Sequence, residues 1–321
     1  MSNINHIKTL EDIIIKKGGF SNSHAHLDRA FTVSFKDVFE QGNKHLFEKW
    51  KLVDKFKKNA TIFDYIKNIE SALNLQREFN VKRITTFIDV DSVVQDKAIN
   101  AAVHCKNISK EKYDIDLKLA CQTLKGVLDK KERSILESNI DKFDIIGSLP
   151  RADKDVKKHL DYILTIGKET NKKVHVHVDQ LNTSEEKETE LLCKMTMRHG
   201  MEGMVSAVHS ISLASHPLKY RKEVYKMAKD SGMNFISCPT AWIDAKRNEI
   251  LSVTHNAITP ADEMSEYGLN VCIGSDNIFD IYKPFSDGNI MTELRFLLEC
   301  NHFYKVNELI DIATVNYLKT V

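Results

Sequence analysis

Lys173-Val174-His175-Val176-His177-Val178-Asp179-Gln180 is a β-branched run with a histidine at every second place and a polar end. Period-two alternation sends His175 and His177 to the same face of a strand. Three other segments have the same form: His24-Ala25-His26-Leu27-Asp28-Arg29, Ser206-Ala207-Val208-His209 and Gly274-Ser275-Asp276-Asn277. Each stands at or just past the end of an apolar run, where strands of a β/α barrel present catalytic side chains. Imidazole nitrogens and a carboxylate oxygen are donors that Zn²⁺ or Fe²⁺ accept. An isolated His-x-His is more often a pair of structural histidines capping a loop. Four such segments in this order point to a single metal site.

Outward from these segments, short apolar runs alternate with longer amphipathic ones, the pattern of a parallel sheet with crossover helices. Strands are predicted at 19–26, 83–90, 115–122, 143–147, 173–178, 203–209, 234–238 and 270–275. Helices are predicted between them at 61–79, 94–108, 130–139, 153–170, 184–199, 220–231 and 260–267, and two more close the chain at 289–302 and 307–319. Asp153 is the expected cap of its helix, and Glu185 and Glu186 are expected in the first turn of theirs, where the helix dipole favours them. Residues 32–60 read as a partly helical insertion. Eight strands alternating with helices favour a closed (β/α)₈ TIM-type barrel, in one domain spanning 1–321. No glycine-rich phosphate loop follows the first strand, which counts against a dinucleotide fold.

The 321 residues are 42% hydrophobic, enough for one large core, and the 46 basic and 45 acidic residues leave a net charge of +1. That balance gives no electrostatic case for nucleic acid or an anionic membrane as partner. The longest apolar runs, such as Ile13-Ile14-Ile15, are too short to span a bilayer, and the first residues carry no signal-peptide pattern. Cys105, Cys121, Cys193, Cys238, Cys272 and Cys300 form no Cys-x-x-Cys pair, and buried, reduced thiols in a cytoplasmic protein are expected. Lys55-Phe56-Lys57-Lys58 and Lys157-Lys158 read as solvated helix faces.

His24, His26 and His177 are the expected metal ligands, with His175 one layer deeper in a hydrogen-bonded role. His209 either binds metal or hydrogen-bonds the attacking water or a substrate oxygen. Asp276 either ligates or takes a proton from water. Asp179 and Gln180 are expected to reach the pocket, and Trp242, after the seventh strand, to wall it.

These residues carry a resemblance to the cytosine deaminase-like branch of the amidohydrolase superfamily. The shared pattern is His-x-His-Leu-Asp on strand one, His-x-Asp on strand five, a histidine on strand six and Gly-x-Asp on strand eight. It extends through Ile146-Gly147-Ser148-Leu149-Pro150 and Gly232-Met233-Asn234-Phe235, from about Phe20 to Val315. The resemblance implies one Zn²⁺ or Fe²⁺ ion on His24, His26, His177 and Asp276, with His209 placing the water. It implies hydrolysis of a non-peptide C–N bond in a small nitrogen heterocycle, with Asp276 and His209 catalytic.

The chain departs from that pattern in three respects. Gln180 stands where cytosine deaminases carry a proton-shuttling Glu, and glutamine cannot carry the proton. Asn277 replaces an Asp, and the strand-three Gln aligns nearest Leu124, with Gln122 close by. Arg29 instead matches the basic residue that follows His-x-His-x-Asp in the ring-amide and triazine hydrolases of this branch. Gln180, Asn277, Gln122, Arg29 and Trp242 are therefore the expected substrate-binding residues. Most of the β-sandwich that relatives build from both termini is missing from the expected fold. The expected partners are a small-molecule substrate and a second copy in a homodimer. The alternatives are an aminopyrimidine or aminopurine deaminase that does without the Glu, and a non-catalytic, degenerate amidohydrolase.

Overall fold

The computed structural model describes residues 5–41, 44, 46–181, 183–241 and 258–321. Its eight strands are β1 (Phe20–Ala25), β2 (Val81–Asp89), β3 (Asp116–Gln122), β4 (Ile145–Ser148), β5 (Lys173–Val178), β6 (Val205–His209), β7 (Asn234–Ser237) and β8 (Asn270–Ile273). They are parallel and ordered β1 to β8 in one sheet. A parallel bridge between Ala25 and Asp276 joins the last strand to the first. The barrel is thus a (β/α)₈ barrel closed at the end where the strands finish.

Closure depends on Gly274. A Cβ there would stand 2.7 Å from the Cβ of His24 and 2.8 Å from its main-chain N and O, so only glycine lets the two strand ends meet. The Asp276 amide then donates to His24 O at 2.9 Å and the His26 amide to Asp276 O at 3.3 Å.

Twelve helices are described: α1 (His6–Lys16), α2 (Phe35–Gln41), α3 (Leu46–Asn59), α4 (Ile62–Glu78), α5 (Lys97–Tyr113), α6 (Lys130–Glu137), α7 (Val156–Thr170), α8 (Glu188–His199), α9 (Leu218–Asp230), α10 (Ala261–Glu266), α11 (Ile290–Cys300) and α12 (Val306–Ala313). α4 shows why they form. Thr61 and Asp64 make a reciprocal capping box, and Tyr65, Ile69, Ala72, Leu73 and Gln76 give one buried stripe. No described helix is long and apolar enough to cross a membrane. Five cysteines are buried and Cys300 is exposed.

Several local expectations are corrected. α7 is capped by Asp155, whose side chain accepts from the Lys158 amide; Asp153 turns elsewhere. α8 begins at Glu188, so Glu185 and Glu186 precede it. The last predicted helix stops at Ala313 and continues as a 3₁₀ turn over Val315–Lys319. β1 is not an apolar β-branched run: its residues are Phe-Ser-Asn-Ser-His-Ala, all buried. Its polar atoms are absorbed by partners, as when Asn22 bonds Gln76 at 2.9 Å and the Ser275 hydroxyl at 2.8 Å.

The floor of the barrel is filled from the C-terminal side. Tyr317 OH bonds the Thr85 hydroxyl at 3.2 Å, and Val321 packs on Phe87, Ala120 and Ile145. His175 belongs to this floor, with Nε2 donating to Thr320 O at 2.8 Å.

Candidate metal centre

Five side chains from four strands converge at the C-terminal end of the barrel. His24 is in β1 and His26 just after it, His177 is in β5, His209 ends β6, and Asp276 follows β8. All are at least 93% buried, Asp276 being the most exposed at 7%. Ring centroids lie 4.8 Å apart for His24–His177, 4.9 Å for His24–His26, and 5.4 Å from His209 to both His24 and His177. Phe87 from β2 packs edge-on against His24 and His177 and fixes their planes.

The donor set fits a divalent ion. Asp276 Oδ1 is 3.3 Å from Nε2 of both His24 and His26. Two donors sharing an ion at tetrahedral bond lengths of about 2.0–2.1 Å stand about 3.4 Å apart. The ligand atoms of His24, His26 and Asp276 lie within 4.8 Å of one another, as do those of His24, His177 and His209. His24 Nε2, His177 Nε2 and His209 Nδ1 are buried without a hydrogen-bond partner. Buried polar nitrogens are normally satisfied, so unpartnered ones within these two groups suit a bound cation.

The protonation states agree. Burial pushes all four imidazoles below their ordinary value, His209 to about 3, so each is neutral and free to donate a lone pair. Burial alone would push Asp276 up. Its contacts with His24 and His26 and the nearby His209 outweigh that and hold it well below the usual carboxylate range.

The backbone at the strand ends is strained. Asp179, His209 and Asp276 have φ of 52°, 74° and 59°, in the left-handed region that non-glycine residues seldom adopt. Each marks the point where its strand stops and the chain turns across the barrel mouth.

The expected substrate-binding residues divide. Gln122 ends β3, buried, with Oε1 unpartnered. Gln180 is half-buried after β5. The Asn277 side chain donates to Asp280. Arg29 is buried, its Nη1 donating to Asp89 at 3.1 Å and its guanidinium 5.3 Å from the Tyr282 ring centroid, while Nε has no partner. Trp242 lies outside the described residues. Asp179 does not open into the pocket: its carboxylate caps α8, accepting from the Glu188 amide at 2.7 Å and the Thr189 amide at 3.1 Å.

Two buried cations beside the site are not visible in the sequence pattern. Lys57 of α3, read above as part of a solvated face, is 1% exposed and bridges Asp89 at 2.8 Å and Asp91 at 2.6 Å. Lys283 donates to Ser275 O at 2.8 Å and to the Thr240 hydroxyl, with Glu293 at 3.6 Å, and so grips the peptide that carries Asp276. For Lys57 the available signal was the pair of acids at the end of β2, Asp89 as its last residue and Asp91 just past it.

Behind Gln180, Asp179, Glu186 and Glu188 share one cation, Arg151. Burial first, then the neighbouring Glu186 and Asp179, raise Glu188 to about 7. A raised carboxylate holds its proton more tightly when folded. Its stabilising contribution is complete below the ordinary glutamate value of about 4.5 and is lost as pH rises through about 7. Glu188→Gln, which cannot ionise, is expected to lie within about 1 kcal/mol of the parent at pH 5 and to exceed it by about 3 kcal/mol at pH 8. Urea unfolding at both pH values checks this; equal differences at the two would remove Glu188 as the source.

No family model matches the chain. It is 42% identical over 268 residues to an uncharacterized protein of Haemophilus influenzae, covering 82% of this chain and 96% of that one. It is 26% identical over 293 residues to N-isopropylammelide isopropyl amidohydrolase of Pseudomonas sp. strain ADP, covering 88% of this chain and 69% of that enzyme. Among solved structures, 5-methylcytosine deaminase from Klebsiella pneumoniae superposes with a TM-score of 0.85 at 24% identity, over 94% of this chain and 74% of that one. The barrel, the placing of the five side chains at its mouth and these likenesses make the chain similar in sequence to an amidohydrolase and in fold to a cytosine-type deaminase.

Proposed function

We propose that this chain is a metal-dependent hydrolase of a non-peptide C–N bond in a small, cyclic, nitrogen-containing substrate. The observation that carries the reading is the set of buried, neutral, unpartnered imidazole nitrogens grouped around an ionised Asp276. The named activities of its relatives, which act on N-isopropylammelide and on 5-methylcytosine, support the substrate class.

His24, His26, His177 and Asp276 would hold one Zn²⁺ or Fe²⁺ ion, since neutral imidazoles with a carboxylate suit both. When bound, the ion supplies a Lewis acid and a water whose pKa is lowered toward ~7. Asp276, ionised and buried, accepts a proton from the attacking water and passes it to the leaving nitrogen. His209, neutral, offers an N–H to the oxyanion that develops at the attacked carbon. Gln122, Gln180, Asn277 and the unpartnered Nε of Arg29 orient the ring. Because the Arg29 charge is committed to Asp89, this residue orients a carbonyl better than it would neutralise a free carboxylate.

Gln180 favours ring-amide or substituent C–N hydrolysis over cytosine deamination, because it cannot shuttle a proton to a ring nitrogen. Ammonia release from a panel of amino-heterocycles, set against ring opening of cyclic amides, separates the two. The first test is metal content per chain by elemental mass spectrometry, before and after reconstitution with Zn²⁺ or Fe²⁺. About one equivalent is expected, and none in His177→Ala. No metal in the reconstituted parent would overturn the reading and favour a non-catalytic binding protein.

A further inference from the structure

β4 ends at Ser148, and the Ser148 carbonyl accepts from Nδ1 of His177 at 2.9 Å. That bond fixes the tautomer: with the proton on Nδ1, the lone pair is on Nε2, the atom left unpartnered toward the metal site. The Ser148 side chain continues the chain of contacts away from the site. Its Oγ lies 2.6 Å from His159 Nε2, and His159 Nδ1 lies 2.6 Å from Asp153 Oδ2. Asp153 is anchored in turn by the Val127 amide at 2.7 Å and the Leu128 amide at 3.3 Å. A Cβ on Gly126 would stand 2.3 Å from Asp153 Oδ1, so the carboxylate occupies space that only a glycine leaves open.

Acid, imidazole and hydroxyl in this order are the parts of a nucleophilic triad. Here they are sealed between β4 and α7. Ser148 and His159 are fully buried, and no substrate carbon can approach Oγ. The position of the cluster gives it a different task. β4 pairs with β3 only at Ala120–Ile145, whereas it pairs with β5 from Ile145 to Ser148. The end of β4 that holds His177 therefore has no ladder on its β3 side.

We propose that Asp153, His159 and Ser148 form a positioning relay for His177. Asp153 accepts from His159 Nδ1, which leaves Nε2 to accept the Ser148 hydroxyl proton. The locked Ser148 then holds its carbonyl in line with His177 Nδ1–H. This inference rests on His177 being a metal ligand, and it adds three residues that touch neither metal nor substrate.

Co²⁺, whose visible spectrum reports coordination geometry, is the probe. Ser148→Ala and His159→Leu are expected to weaken Co²⁺ binding about 10-fold, at the lower end for lost outer partners of a ligand, and to alter the visible bands. His159→Gln, which can still donate to Asp153 and accept from Ser148, is expected to recover most of the affinity and the parental spectrum. Melting of the metal-free variants separates loss of positioning from loss of fold. A second readout needs no metal: long-range ¹H–¹⁵N correlations in the metal-free protein are expected to show His177 as the Nδ1–H tautomer. In His159→Leu they are expected to show a tautomer mixture.

Parental Co²⁺ affinity and spectrum in both Ser148→Ala and His159→Leu would overturn the relay. So would an unchanged His177 tautomer in His159→Leu, or covalent labelling of Ser148 by a fluorophosphonate. A parent that takes up no Co²⁺ would overturn the metal centre itself, and the tautomer experiment would then decide the relay separately.

Discussion

Asp276→Ala is expected to lower kcat/KM by at least about 10³-fold on any ring amide or amino-heterocycle that the parent turns over. The substitution removes two things at once: the only anion facing the imidazole cluster among the described residues, and the proposed acceptor of the water proton. Asp276→Asn separates them. It keeps the shape and one oxygen donor but cannot take the proton, so its loss is expected almost entirely in kcat, with metal retained in part. Steady-state kinetics alongside metal content would check both variants. Full turnover in Asp276→Ala would end the assignment.

Lys57→Met is expected to destabilise the protein by about 3–5 kcal/mol, because removing one partner of a buried ionic group leaves the other charge uncompensated. Lys57 is the shared cation of Asp89 and Asp91, and Asp89 also holds Arg29. Asp28 already feels the crowding: burial first, then the Asp89 charge, push it up to about 7. Without the ammonium, Arg29 would be the only cation left in direct contact with this group of three carboxylates, with Lys125 acting on Asp89 from further off. Urea unfolding measures the loss. Asp91→Asn in the Lys57→Met background is expected to recover part of it, and a loss below about 1 kcal/mol would mean that water replaces the ammonium. Because α3 brings Lys57 to the end of β2, this pair also ties the 32–60 insertion to the barrel mouth.

The barrel was legible because its signal is periodic. β5 falls at Lys173–Val178 as the Val/His alternation predicts, and the other strands lie within a few residues of their expected places. The five converging side chains were legible because each sits at a strand end, the one location the fold commits to chemistry. What the sequence hid depends on tertiary partners. Glu186 has the form of a helix-dipole residue. Its carboxylate instead accepts from the Leu181 amide at 2.7 Å and the Ser212 hydroxyl at 2.6 Å, so the helix starts after it. Lys57 sits among exposed lysines, and only the approach of α3 to β2 shows that this one is buried. Thr314 carries no breaker signal. It ends α12 because its hydroxyl turns back to Ile310 O at 2.6 Å and its carbonyl accepts from Ser21 at 2.8 Å. Helix α1 was not anticipated, although Asn5 caps it by accepting from the Lys8 amide.

The left-handed backbone of Asp179, His209 and Asp276 has an evolutionary consequence. A glycine at any of the three would relax a conformation that costs an ordinary residue about 1–2 kcal/mol. At each position the relaxation removes a side chain: the cap of α8, the proposed oxyanion donor or the ionised carboxylate. Selection for thermal robustness alone would therefore push His209 and Asp276 toward glycine, and only selection for turnover would hold them, whereas at Asp179 the lost cap of α8 opposes the gain. A descendant freed from its chemical task would record that release first at the rim, as gains in stability that erase the site one residue at a time.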